Sequence, residues 1–178
     1  VKSGRDKHPN RILFEGVLTR LDEPSDSAPS GSRGHRVILT REAAEDALDS
    51  LIGMAVAYKQ DWDGHDARQK CGVITDAYIH LDELLVKGYI YGRDFPEVTA
   101  EMMKPNVELG MSYELADAHV ADMREKIWTL TRATFTGAAI LLRKKAAYKR
   151  TRISLIAATR EVFTGKLRSQ GGKVKLLH

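Results

Sequence analysis

Two side chains in this 178-residue sequence are of the types that nucleophilic acyl transfer needs. His65 stands in the acidic loop Asp61-Trp62-Asp63-Gly64-His65-Asp66, and Ser112 in the run Leu109-Gly110-Met111-Ser112-Tyr113-Glu114-Leu115. An imidazole that takes the hydroxyl proton turns serine into a nucleophile, and the pairing depends on geometry in the fold, not on spacing in the sequence. Each residue also has a plainer reading. By itself Ser112 reads as an ordinary serine on the exposed side of a strand, and the loop as a solvated acidic turn. The loop acids could favour the charged imidazole, orient its neutral form as a general base, or bind a hard cation through their oxygens. The loop does not follow the EF-hand pattern, because its glycine comes early and no glutamate stands at the required later position.

These residues need a β scaffold to hold them. Val107, Leu109, Met111, Tyr113 and Leu115 alternate with Glu108, Gly110, Ser112 and Glu114. That period predicts a half-buried strand with Ser112 on its polar face. Asn10 to Leu21 predicts a strand pair or one bent strand, Arg36 to Leu39 a short strand, and Ala55 to Lys59 a strand leading into the His65 loop. Between the last two, Thr40 is placed to cap a helix with Glu42 and Glu45 near its start, an apolar face of Ala44, Ala47, Leu48, Leu51 and Ile52, and a stop at Gly53.

Cys71 to Ile79 and Leu84 to Tyr91 predict two more strands, joined at Asp82-Glu83. Asp94-Phe95-Pro96-Glu97 predicts a helix start with Asp94 as the cap, running to about Met103. Ile127 to Leu142 predicts β structure broken at Gly137. The Pro/Ser/Gly-rich residues 22–36 predict a mobile loop. Residues 149–178, with Ile153, Leu155, Ile156, Ala157 and Val162, predict a basic amphipathic helix fading into a tail. The sum is mainly β with peripheral helices (α+β): a small, mostly antiparallel barrel of about seven strands over residues 1–148.

Charge is distributed unevenly. Residues 143–178 carry eleven basic side chains and the single acid Glu161, so they hold +10 against a chain total of +4, which leaves −6 for residues 1–142. The basic segment predicts a solvated or packing helix edge, an address to an assembly, or nonspecific contact with nucleic acid. Only Tyr148 and Phe163 interleave it, which argues against base stacking. Cys71 is the one cysteine, which excludes an internal disulfide and a four-cysteine zinc site and predicts a buried, inert thiol. No apolar run approaches the ~18 residues that span a bilayer, and Val1-Lys2-Ser3-Gly4-Arg5 lacks the apolar stretch of a signal peptide. A soluble, intracellular protein without a membrane partner is expected.

The order of segments adds to this. Leu39-Thr40-Arg41-Glu42-Ala43-Ala44, Asp63-Gly64-His65, Gly72-Val73-Ile74, Arg93 to Val98, Leu109 to Tyr113 and Phe135-Thr136-Gly137-Ala138-Ala139-Ile140-Leu141 follow one another over residues 10 to 150. In that order they resemble the prohead (capsid-maturation) serine proteases of tailed phages, which are related to the herpesvirus assemblins. The resemblance implies a herpesvirus-protease-like barrel with Ser112 as nucleophile and His65 as general base, and no metal or cofactor.

It leaves the third member open. The strand after the serine strand, Trp128 to Thr134, offers no acid or histidine, so Thr131, Thr134, Asp63, Asp66, Glu114 and His119 all remain candidates. Arg143 and Lys144 are candidates for supporting the oxyanion. The function implied is cleavage of scaffold and major-capsid-protein extensions, and of the chain itself, inside the procapsid in the host cytoplasm. Self-association would fit; specific nucleic-acid binding is not expected. A non-catalytic assembly or scaffold module on the same barrel is the alternative, and a basic nucleic-acid-binding domain a third.

Overall fold

The computed structural model describes residues 8–156. They form one eight-stranded sheet: β1 (Arg11–Arg20), β2 (Arg36–Leu39), β3 (Ala55–Tyr58), β4 (Lys70–His80), β5 (Glu83–Tyr91), β6 (Leu109–Val120), β7 (Ile127–Leu142) and β8 (Arg152–Leu155). The strand order is β2-β7-β3-β4-β5-β1-β8, and β6 pairs with β7 off this path. β2 and β3 run parallel to β7, and the other pairings are antiparallel. The fold is therefore the mostly antiparallel β architecture expected, with two short helices, α1 (Arg41–Ala47) and α2 (Pro96–Met103).

Alternation along the strands explains the curl. Phe14 and Leu18 of β1, Ile74 of β4, Val86 and Ile90 of β5, Met111 of β6 and Ile140 of β7 meet in a single core. Each large side chain so buried contributes about 1.5–3 kcal/mol. Register shifts in β1, β4 and along the β6–β7 ribbon bend the sheet around that core. α2 adds Val98 and Met102 to it, and α1 packs Ala43, Ala44 and Ala47 inward.

Thr40 caps α1 as its type predicts, its hydroxyl accepting the Ala43 N–H at 3.1 Å, and a 3-10 turn (Leu48–Leu51) continues the helix. Asn10 to Leu21 is the one bent strand expected as the alternative to a pair, with a bulge between Val17 and Thr19. Other elements differ from expectation. Asp94 does not cap α2: Phe95 holds the cap position without a side-chain bond, and the Asp94 carboxylate accepts from Asn10 Nδ2 at 2.7 Å. A tie to β1 has replaced the local cap. β7 runs unbroken through Gly137.

The predicted loop 22–36 is irregular but tethered. The Ser25 side chain is fully buried, and its hydroxyl accepts the Val37 N–H at 3.0 Å. Asp26 N–H donates to Ala147 O at 2.8 Å. Polar composition here marks bonds made inside the protein as well as bonds to water.

The largest correction concerns the C-terminal segment. The predicted amphipathic helix instead begins as β8, which pairs with β1 and sends Ile153 and Leu155 into the core. A free β1 edge would expose unpaired backbone groups, and β8 covers them. The barrel domain thus extends past residue 148; the remainder of the predicted helix and tail lies outside the described residues.

Candidate active site

β7 organises the site. Ala139 of β7 pairs on one edge with Ala57 of β3 and on the other with Ser112 of β6. Residues opposite one another in adjacent strands share a face. Ala57, Ala139 and Ser112 therefore form a row, with Gly110 and Glu114 flanking Ser112 on the same face. Met111 and Ile140, one step along, face the core. Ala57 and Ala139 are nonetheless fully buried, so this second face is also covered.

The loop between β3 and β4 lies on that side. Leu142 at the end of β7 donates its N–H to Trp62 O at 2.8 Å, which anchors the loop. Trp62 takes a left-handed backbone conformation, φ 58°, uncommon for a bulky residue. Lys59 and Asp63 close the loop's neck with an ion pair at 2.8 Å.

His65 is held between loop and strand, its side chain only 19% exposed. Its Nδ1 lies 3.4 Å from Glu114 Oε1. Its Nε2 is buried and has no hydrogen-bond partner among the described residues. Burial pushes the imidazole pKa below its ordinary value; the Glu114 carboxylate opposes this and Lys70 reinforces it. Burial is the largest of these effects and favours the neutral ring, the state a general base requires.

Gly137 leaves room for the Glu114 carboxylate. It pairs with Glu114, and a Cβ built on it would stand 2.7 Å from Glu114 Oε2. The carboxylate lies across the space a side chain would fill. In the sequence Gly137 reads as an interruption; its place opposite an acid on the serine strand is set by the β6–β7 register.

The other candidates lie elsewhere or are engaged. Asp63 is bound to Lys59, whose hydrogen bond holds the carboxyl below the usual range. Asp66 accepts the Arg68 N–H at 2.9 Å and Gln69 Nε2 at 3.1 Å, and these lower its pKa in turn. Thr131 Oγ1 donates to His119 O at 3.4 Å, and Thr134 pairs with Ala116, towards the other end of the β6–β7 ribbon. None of these is hydrogen-bonded to His65. Arg143 flanks the serine row: its Cα would lie 3.3 Å from a Cβ on Gly110, and its Nε is buried without a partner among the described residues. Its Nη1 is 3.6 Å from Glu108. Lys144 is exposed, and its carbonyl accepts from Lys149 Nζ.

Ser112 also borders a recess of about 30 Å³ with Leu18, Pro29, Met111, Tyr113, Ala147 and Tyr148. A wider cleft of about 350 Å³ borders the His65 loop at Trp62 and Gln69 and is walled by Glu97 and Glu101 of α2. Among the described residues, no three His, Cys, Asp or Glu side chains gather where they could hold a metal ion. Cys71 is buried, and burial pushes its thiol up to about 12.

No family model and no curated protein matches the chain. Among solved structures it is similar to the bacteriophage T4 capsid assembly protease, at 11% identity and a TM-score of 0.43, over 72% of this chain and 97% of that one. It is also similar to the KSHV protease in complex with a hexapeptide phosphonate inhibitor, at 10% identity and a TM-score of 0.40, over 89% of this chain and 77% of that one.

Proposed function

We propose that this chain is a serine endopeptidase of phage procapsid maturation, with Ser112 as nucleophile and His65 as general base. One observation carries the chemistry: His65 is held against Glu114, two residues along the strand from Ser112, with its Nε2 buried and unpartnered among the described residues. A buried ring nitrogen without a partner costs free energy, and a role in accepting the hydroxyl proton supplies a reason for it. Ser112 Oγ attacks a scissile carbonyl while His65 Nε2 takes the hydroxyl proton. The imidazolium then returns that proton to the leaving amine, and water repeats the sequence on the acyl-enzyme. Arg143, whose backbone lies beside Gly110 of the serine row, is the cation assigned to the charge that develops on the carbonyl oxygen.

The substrates, scaffold and major-capsid-protein extensions and the chain's own ends, follow from the resemblance of the ordered segments, as does a place inside the procapsid. A non-catalytic assembly module draws on one observation: the described structure holds no hydrogen bond between Ser112 Oγ and His65.

A fluorophosphonate probe with mass-spectrometric site mapping separates the two readings. Labelling of Ser112, lost in Ser112→Ala and His65→Ala, and processing of co-expressed scaffold and capsid protein lost with it, is the expected result. A folded wild-type chain that neither labels nor processes would overturn the protease reading.

A further inference from the structure

We infer that Glu114, carried by the same strand as the nucleophile, is the residue that positions His65, and that Gly137 is required for it to do so. This rests on the Ser112–His65 reading and deepens it.

Glu114 stands two residues beyond Ser112, so the pleat turns both side chains to one face. Its Oε1 faces His65 Nδ1 at 3.4 Å, and its Oε2 occupies the space left by the missing side chain of Gly137. The acids nearer in sequence are engaged: Asp63 by Lys59, and Asp66 by Arg68 and Gln69. A carboxylate at Nδ1 favours the tautomer that carries its proton there and leaves the Nε2 lone pair free for the Ser112 hydroxyl. When Nε2 takes that proton, the ring becomes a cation beside the Glu114 carboxylate. The 3.4 Å separation is the loose geometry usual before substrate closes a site.

The Glu114 side chain is 55% exposed, so the pair is screened by water and its role is orientation rather than holding the fold together. Groups facing the ring are Glu114 from β6 and Lys70 at the start of β4.

The test combines ring spectroscopy with inactivation kinetics on the full chain. In a Ser112→Ala background, long-range proton–nitrogen NMR reads the tautomer and titration of His65. Glu114→Gln should shift ring population towards the other tautomer and lower the titration midpoint. Gly137→Ala, which keeps the acid but displaces it, should move both in the same direction. With Ser112 intact, Glu114→Gln should slow fluorophosphonate labelling by up to about 10⁴-fold, the loss on removing the orienting acid of a serine triad, and Glu114→Asp should recover part of that loss. Unchanged tautomer and labelling rate in Glu114→Gln, with a wild type that labels normally, would overturn the role of Glu114 alone. A wild type that does not label at Ser112 would overturn the underlying protease reading and the catalytic role of Glu114 with it.

Discussion

The Thr151 hydroxyl accepts the Met111 N–H at 3.1 Å while donating to Tyr148 O at the same distance. The segment after β7 thus reaches the outer edge of the strand that carries Ser112. Thr151 is almost fully buried and sits where a ladder bond would otherwise be needed. It bridges the gap between β6 and β8.

Thr151→Val keeps the shape but leaves the Met111 N–H without an acceptor. The expected cost is about 1–3 kcal/mol, seen as a lower urea midpoint with an unchanged slope. Labelling at Ser112 should fall more than stability does, since Met111 is its neighbour. An unchanged midpoint would show that the seam is held by other contacts.

Truncation separates fold from tail. A chain ending at Tyr148 loses β8, exposes the β1 edge and removes Ile153 and Leu155 from the core. It should unfold or aggregate, whereas a chain ending at Ile156 should stay folded by circular dichroism. Ile153→Ala in the full chain should cost about 2–5 kcal/mol. A stable, folded 1–148 fragment would contradict the pairing of β8.

The sign of the His65 shift sets a pH dependence. Its native pKa lies below that of the unfolded chain. As pH falls below the ordinary histidine value of ~6.5, the unfolded state takes up a proton that the native state resists. Stability is therefore full above that value and declines as pH falls towards the native pKa. His65→Gln should show a shallower loss of thermal stability between about pH 6.5 and 5. Equal slopes for both proteins would place the imidazole in water.

Cys71 is buried with its thiol pushed up to about 12. At pH 8 the native chain should resist a thiol reagent such as DTNB, and the denatured chain should react at once. Rapid labelling of native protein would mean that β4 opens readily.

Some of this was legible residue by residue. The alternation from Val107 to Leu115 placed Ser112 and Glu114 on one face, because the strand period is two whatever surrounds it. Thr40 signalled its helix because a cap is satisfied within a few residues of chain. Composition alone excluded a disulfide, and the position of Cys71 in an apolar strand matched its burial.

What local pattern could not supply were the partners. Asp94 reads as a cap, yet it bonds Asn10, 84 residues away. Ile153 and Leu155 suit either a helix face or a strand, and only the vacant edge of β1 decides for the strand. Six residues could have stood beside His65 on chemical grounds. The fold distinguishes them because β6 and β7 pair in a register that sets Glu114 against Gly137, and because Trp62 binds the histidine loop to the end of β7. Residue types declare which groups can react, but distance between segments far apart in sequence is set by strand register and loop anchoring, and those belong to the tertiary structure.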